Sequence, residues 1–152
     1  MHITTNTQTT RLLNVLAAAF LFAGVTRALP QSAEPWTDKQ LKDPAALAAA
    51  IADPKAPRPV IFNVGPVNQI KGAIEIGPAS KPANLDKLKQ QLAKLPKDKE
   101  IVIYCGCCPF SRCPNARPAF ALLQKLKFKN AKLLNFPNNL KVDWINKGYP
   151  LE

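Results

Sequence analysis

The sequence has almost no histidine, and it has no cysteine outside one short stretch. The only histidine is His2, which lies in a segment with the features of a removable leader, so the remaining chain would have no imidazole. This excludes Ser-His-Asp and Cys-His catalysis and any zinc site with a histidine ligand. The chain also lacks a long run of basic residues and has 7% aromatic residues. Nucleic acid binding is therefore disfavoured despite the formal net charge of +11.

The lysines are scattered along predicted helices and turns, so we interpret the positive charge as a solvated surface. Such a surface would still attract a small anionic substrate. Acidic residues are half as frequent, with 10 Asp and Glu against 21 Lys and Arg. The charge balance therefore predicts an anionic small molecule as a partner and no nucleic acid.

The N-terminal region has the pattern of a secretory signal peptide. Arg11 precedes an apolar run from Leu12 to Val25, and the small residues Thr26 and Ala28 occupy the outer positions of a cleavage site. The run is shorter than the roughly 20 residues of a membrane-spanning helix, although an uncleaved anchor is the alternative. We predict a periplasmic or secreted protein with no membrane association after cleavage. The predicted parts of the chain are a signal peptide, a linker and one folded domain, at residues 1–28, 29–36 and 37–152.

Predicted helices and strands alternate along this domain. Asp43 and Pro44 have the residue types of an N-cap and a first helical position. Asn84 is the predicted cap of a second helix, whose apolar face consists of Leu85, Leu88, Leu92 and Leu95. The alternation predicts an α/β domain with a mostly parallel sheet between two layers of helices. The other predicted elements are strands at 59–65, 72–77, 101–104 and 131–136, and helices at 116–127 and from 138 or 139 to Gly148.

The cysteines follow the most apolar of these strands, Ile101–Tyr104. Asn115 is the predicted N-cap of the next helix. We therefore expect Cys105 at the C-terminal end of a parallel strand, where open α/β sheets bind ligands. There it would face a helix N-terminus and two arginines, Arg112 and Arg117, which would lower the pKa of the thiol and make it a nucleophile.

The order of these motifs resembles a single rhodanese domain. An apolar strand ends in Tyr104-Cys105, followed by an arginine-bearing loop and a helix. Two further patterns then follow, Leu-x-x-Leu-x-Phe-x-Asn at 123–130 and Trp-x-x-x-Gly-Tyr-Pro at 144–150. Upstream, 60–64 resembles the second strand of that family, and 70–74 its Ile-Pro-Gly-Ala segment. The resemblance spans about residues 37 to 152 and implies a three-layer α/β/α fold.

The resemblance implies a sulfurtransferase that needs no cofactor. Cys105 would attack the outer sulfur of thiosulfate or a related donor, and the resulting persulfide would pass its sulfur to a thiol or to cyanide. Arg112 would bind the anionic donor, with Arg117 as a second cation. The partners would be this donor, a thiol acceptor and an exported redox or sulfur-carrier protein. The substrate-binding cradle would be built from the loop amides of Gly106, Cys107, Cys108, Phe110 and Ser111.

The sequence departs from the family pattern in three places, one of which is the absence of the usual Gly-His before the Ile-Pro-Gly-Ala segment. The second strand ends in Asn63-Val64-Gly65, where the family usually has Asp-x-Arg. The loop reads Cys-Gly-Cys-Cys-Pro-x-x-x-Cys-Pro-Asn-x-Arg-Pro-Ala and resembles an exported, cysteine-rich subgroup of bacterial rhodanese-like proteins. In the family, the arginine usually follows the catalytic cysteine by about five positions. Arg112 follows Cys105 by seven positions and Cys108 by four, so Cys108 is the alternative nucleophile.

Three other roles for the cysteines remain open from the sequence. A disulfide is typical of exported proteins, and Cys108 with Cys113 would close a small loop. A second alternative is a non-enzymatic protein that binds Zn²⁺ or Cu(I) through the thiolates of Cys105, Cys107, Cys108 and Cys113. The third is thiol–disulfide exchange, in which Cys105 attacks and Cys108 resolves. We expect no bound metal if the rhodanese chemistry holds.

Overall fold

Five short strands form the centre of the structure, a computed structural model that describes residues 36–152. The predicted signal peptide and most of the predicted linker lie outside the described residues. The strands are β1 Leu41–Lys42, β2 Val60–Asn63, β3 Ala73–Glu75, β4 Ile101–Tyr104 and β5 Ala131–Leu134. All neighbours pair in parallel, in the order β1-β5-β4-β2-β3. The predicted parallel sheet is confirmed, and β4 is its middle strand.

Helices cover both faces of this sheet. Successive side chains of β4 point to opposite faces, so Ile103 belongs to one apolar core and Tyr104 to the other. The core around Ile103 includes Leu88, Leu92, Phe120 and Leu123, and the core around Tyr104 includes Leu47, Ile51 and Leu140. This arrangement confirms the three-layer α/β/α fold. The helices are α1 Pro44–Ala52, α2 Pro82–Leu92, α3 Ala116–Lys125 and α4 Leu140–Asp143.

The helix starts follow local chemistry, although not every predicted cap is observed. The Asp43 carboxylate accepts a hydrogen bond from the Ala46 amide at 2.8 Å, which confirms the predicted cap of α1. The predicted cap at Asn84 is wrong, because α2 begins at Pro82 and Asn84 already lies inside it. The fixed φ angle of proline favours the first helical position. The Asn84 side chain instead donates to the Pro78 carbonyl at 3.0 Å.

The first strand and the last helix of the domain also differ from the predictions. Strand β1 has only two residues, too few for a sequence pattern, yet Leu41 pairs with Leu133 at the edge of the sheet. The last helix is shorter than predicted: α4 ends at Asp143, and a 3₁₀ turn at Ile145–Lys147 follows. Other 3₁₀ turns lie at Asp38–Gln40 and Phe110–Arg112.

Trp36, which the sequence analysis assigns to the linker, packs into the domain. Its side chain is buried, and its ring centroid lies 5.8 Å from that of Phe110 and 6.3 Å from that of Phe120. The folded part of the chain therefore includes this residue. Within residues 36–152, no helix has both the length and the apolar character required to cross a membrane.

Candidate functional site

Cys105 is the first residue after β4, and its side chain is only 4% exposed. Strand β2 runs beside it, and the Val64 amide donates to the Tyr104 carbonyl at 2.8 Å. Gly65 lies directly against the cysteine. A Cβ atom on Gly65 would be 2.2 Å from the Cys105 carbonyl oxygen and 2.7 Å from its Sγ. The absence of a side chain at position 65 therefore makes room for the Cys105 sulfur.

Asn63 holds the turn that brings Gly65 to this position. Its side chain is fully buried, and its Oδ1 accepts a hydrogen bond from the Gly65 amide at 3.1 Å. Its Nδ2 donates to the Val67 carbonyl at 2.9 Å and to a Glu75 carboxylate oxygen at 2.8 Å. Neither Asn63 nor Gly65 is among the site residues predicted from the sequence. Their one signal was the departure from the family's usual Asp-x-Arg.

Asn115 has a different role from the helix cap that the sequence predicts. It precedes α3 as predicted, but its side chain does not cap the helix. Its backbone is already helical, with φ −90° and ψ −33°, and not in the extended conformation typical of a capping residue. The buried side chain instead accepts from the Ser80 amide at 3.0 Å and donates from Nδ2 to Cys105 Sγ at 3.3 Å. Asn115 is therefore a direct partner of the candidate nucleophile.

Three of the four cysteines form one cluster. The Sγ atoms of Cys105, Cys107 and Cys113 all lie within 4.8 Å of one another. Cys105 Sγ and Cys107 Sγ are 3.1 Å apart, and Cys107 Sγ and Cys108 Sγ are 3.4 Å apart. All four cysteines are free, so the disulfide that the sequence left open as an alternative is not present in the structure. The physical reason is that Cys113 is buried beside Cys105, while Cys108 approaches Cys107.

The cluster gives Cys105 the character of a thiolate. The Cys113 thiol lowers the pKa of Cys105 most. Asn115 and the amide and thiol of Cys107 contribute to the same effect, so that despite burial the pKa falls to about 5. Partial desolvation of the Cys107 thiol, followed by its hydrogen bond to Cys105, raises the pKa of Cys107 to about 12. The hydrogen bond to Cys105 also raises the pKa of Cys113. At neutral pH the cluster therefore concentrates negative charge on Cys105.

The helix N-terminus acts on a different sulfur from the one predicted. The backbone amides of Asn115 and Ala116, at the start of α3, hydrogen-bond to Cys113 and lower its pKa against the stronger effects of Cys105 and burial. Cys105 receives the Asn115 side chain instead. The predicted direct contact between Cys105 and the helix end is therefore replaced by a contact through Cys113.

The loop amides of the predicted cradle are only partly free. The Phe110 amide donates to the Phe136 carbonyl at 3.0 Å, which takes it out of the cradle. The amides of Gly106, Cys107 and Cys108 have no backbone acceptor within residues 36–152. Gly106 has a φ of +73°, and a Cβ there would be 2.9 Å from Leu140 Cβ, so the loop turns tightly at this glycine.

The two arginines have different surroundings. Arg112 is exposed at the end of a 3₁₀ turn, and its side chain has no hydrogen-bond or ion-pair partner within the described part of the chain. The Arg117 guanidinium donates to the Ser111 carbonyl at 2.7 Å and lies 5.5 Å from the centre of the Trp36 ring. Arg117 thus fastens the cysteine loop to α3, whereas Arg112 is available to an anion.

A groove of about 380 Å³ adjoins the loop. Tyr104 Oη supports one wall of it by accepting from the Ile70 amide at 2.9 Å and donating to the Asn68 carbonyl at 3.2 Å. The groove is mainly apolar with one cation, and it could take the chain of a thiol compound next to Cys107. Its lining includes Val67, Asn68, Gly106, Cys107, Leu140, Lys141 and Ile145.

A buried thiol at the end of the central strand of a parallel α/β sheet defines the class of site. Residues 43–135 match the family described as "Rhodanese-like domain", more than half of the chain, so the protein belongs to that family. The structure is similar to the single-domain sulfurtransferase RDL2 of Saccharomyces cerevisiae, with 19% identity and a TM-score of 0.51 over 74% of this chain and 95% of that one. At that identity the likeness supports the fold. No curated protein matches the chain.

The hydrogen bond from Asn115 leads to a testable pH dependence. We expect the thiolate absorbance of Cys105 to appear as the pH rises through about 5. Asn115→Asp keeps the acceptor for the Ser80 amide but replaces the donor to Cys105 with a carboxylate, which should raise the pKa of the cysteine. An ultraviolet pH titration measures both values. Cys105→Ser is the control and should remove the low-pH step; an unchanged midpoint in Asn115→Asp would contradict the assignment.

Proposed function

We propose that this protein is a sulfurtransferase that takes a sulfane sulfur from thiosulfate or a related anionic donor onto Cys105. The observation that carries the proposal is the position of Cys105, fixed by β4 and held between the Asn115 amide group and the sulfurs of Cys107 and Cys113. Membership of the rhodanese-like family supports the same chemistry.

The reaction has two displacements at sulfur. The Cys105 thiolate attacks the outer sulfur of thiosulfate, the sulfur–sulfur bond of the donor breaks, and sulfite leaves with the electron pair. The outer sulfur of the resulting persulfide is then attacked by an acceptor thiolate or by cyanide. A new persulfide or thiocyanate leaves, and Cys105 is again a thiolate. No external oxidant or reductant is required.

Other groups near Cys105 would stabilise the negative charges of the persulfide and of the sulfur donor. The Cys107 amide already hydrogen-bonds to the Cys105 sulfur, and the amides of Gly106 and Cys108 have no backbone acceptor within residues 36–152, so all three are suited to the anionic outer sulfur of the persulfide. The exposed Arg112 would bind the sulfonate part of the donor. The apolar groove beside Cys107 would take an organic thiol acceptor, with Lys141 for an acidic group on it.

Export is part of the same proposal and is supported by the sequence pattern of residues 1–28. In the periplasm or outside the cell, the acceptor would be a small thiol or an exported redox or sulfur-carrier protein. N-terminal sequencing of the exported protein should find a chain that begins after Ala28. A chain that still begins at Met1 would contradict cleavage.

One distance favours a second candidate, thiol–disulfide exchange. Cys105 Sγ and Cys107 Sγ are 3.1 Å apart, so Cys107 is placed to resolve a mixed disulfide that Cys105 forms with a disulfide substrate. This differs from the sequence-based alternative, in which Cys108 resolves. The products would be a Cys105–Cys107 disulfide and a reduced substrate.

Intact mass spectrometry of the reduced protein, before and after thiosulfate, tests the two candidates. Sulfur transfer predicts a gain of one sulfur atom, located on the Cys105 peptide and removed by cyanide. Thiol–disulfide exchange predicts no gain with thiosulfate and a loss of two hydrogens with a disulfide substrate. No sulfur gain with thiosulfate or any other sulfane donor would contradict the proposed function.

A further inference from the structure

We propose that the sulfurs of Cys105, Cys107 and Cys113 form a three-coordinate site for a Cu(I) ion, a property beyond the proposed sulfur transfer. The observation is the convergence of the three Sγ atoms, which lie within 4.8 Å of one another. The three cysteines come from the end of β4, from the loop and from the segment that leads into α3. The loop that connects β4 to α3, fixed at both ends by these elements, therefore brings the ligands together.

The distances suit a metal ion in the plane of three sulfurs. A metal–sulfur bond of about 2.3 Å in a trigonal arrangement separates the sulfurs by about 4 Å. The three sulfurs lie within 4.8 Å of one another, close to this size, and the 3.1 Å pair of Cys105 and Cys107 must open. Cys107 is exposed on the loop, so its side chain can make this adjustment, while the buried Cys105 and Cys113 stay in place.

The ligand set favours Cu(I) over Zn²⁺. Thiolates are soft ligands that select Cu(I), Zn²⁺ and iron–sulfur clusters. Structural zinc sites are almost always four-coordinate, but this cluster contains three sulfurs and no carboxylate or imidazole. Cys108 is the obvious fourth ligand, but it lies outside the three-sulfur cluster, with its sulfur 3.4 Å from that of Cys107. The structure therefore supports three of the four cysteine ligands considered from the sequence, and it favours Cu(I), an ion that three thiolates can bind.

The surroundings also fit a metal-bound thiolate cluster. Asn115 Nδ2 donates to Cys105 Sγ at 3.3 Å, an outer hydrogen bond of the kind that orients metal ligands. Cys113 is fully buried and Cys105 nearly so, which closes the inner side of the site. The exposed Cys107 leaves one side open to an arriving ion. A bound ion would occupy Cys105 and thereby block its reaction with a sulfur donor.

Titration of the reduced full-length protein with Cu(I), without oxygen and in competition with a chromogenic Cu(I) chelator, tests the site. We expect one Cu(I) per chain and sulfur-to-copper absorbance in the ultraviolet. Cys107→Ser should weaken binding by more than about 100-fold, because loss of an outer-shell partner alone costs 10- to 100-fold. Cys108→Ser is the matched control, since it removes a neighbouring thiol and should leave the affinity unchanged.

Other outcomes would overturn the proposal. One such outcome is binding of less than one Cu(I) per chain, and another is an unchanged Cu(I) affinity in Cys107→Ser. A third is a loss of Cu(I) affinity in Cys108→Ser as large as that in Cys107→Ser, which would indicate a four-thiolate site. The proposal would also be overturned if the protein bound Zn²⁺ more tightly than Cu(I) and lost this Zn²⁺ binding in Cys108→Ser. Cys113→Ser removes a buried group, so circular dichroism must accompany it; the exposed Cys107 gives the decisive variant. Binding is read without turnover, so a failure of the sulfurtransferase proposal would be seen separately.

Discussion

Cys105→Ser should reduce sulfur transfer from thiosulfate to cyanide by at least about 1,000-fold, because the reaction has no route without its nucleophile. Cys108→Ser should retain most of the activity. The assay is thiocyanate formation, with thermal melting of both variants to show that they are folded. The two changes are chemically identical and lie three positions apart on the same loop, so their difference isolates the role of position 105.

The structure gives reasons why the other cysteines are poorer nucleophiles. Cys105 directly follows β4, and a group aimed by a rigid element loses less to misplacement than one on a loop. The pKa of Cys107 is raised to about 12, so its thiol is not ionised at neutral pH. Cys113 is fully buried, and its pKa is raised as well.

The opposite result would assign the nucleophile to a different cysteine of the loop. If Cys108→Ser loses activity while Cys105→Ser keeps it, Cys108 is the attacking thiol, and its spacing of four residues from Arg112 becomes the relevant one. Cys108 is half-buried and lies 3.4 Å from Cys107, sulfur to sulfur. In that case Cys107 would be the neighbour that shapes its reactivity.

Much of the fold could be predicted because its signals are local. The strand at Ile101–Tyr104 is a run of apolar β-formers, and all of its residues are buried in the middle of the sheet. The Asp43 cap and the leucine stripe of α2 depend on residues three or four positions apart. The start of α2 was missed because Pro82 and Asn84 both carry start signals two residues apart. Strand β1 was missed because two residues show no periodicity.

The candidate site was less predictable, because its partners come from distant parts of the chain. The position of Cys105 after a buried strand was visible in the sequence. The contacts of Asn115 with Cys105 and with Ser80 connect three separate segments, and no spacing rule predicts them. The cysteine pattern likewise leaves three pairings open. Which sulfurs meet depends on the fold, and the fold brings Cys113 to Cys105 rather than to Cys108.

Gly65→Ala should destabilise the protein by about 3 kcal/mol, the upper end of the usual cost of overpacking. The added Cβ would be 2.2 Å from the backbone oxygen of Cys105, and neither backbone can yield without disturbing the ends of β2 and β4. Because the same Cβ would be 2.7 Å from Cys105 Sγ, sulfur transfer should fall with stability. Urea unfolding and the thiocyanate assay measure the two effects.

Gly72→Ala is the matched control for this change. Gly72 has a φ of +78° and no atom within 4 Å of an added Cβ, so alanine there is penalised by backbone conformation alone, by about 1 kcal/mol. Gly72→Ala should therefore lose about 1 kcal/mol of stability and keep wild-type sulfur transfer. If Gly65→Ala is no less stable than Gly72→Ala and equally active, the close contact between Gly65 and Cys105 does not exist in solution. If Gly65→Ala keeps its stability and loses only activity, the backbone yields and the contact acts on the placement of the sulfur alone.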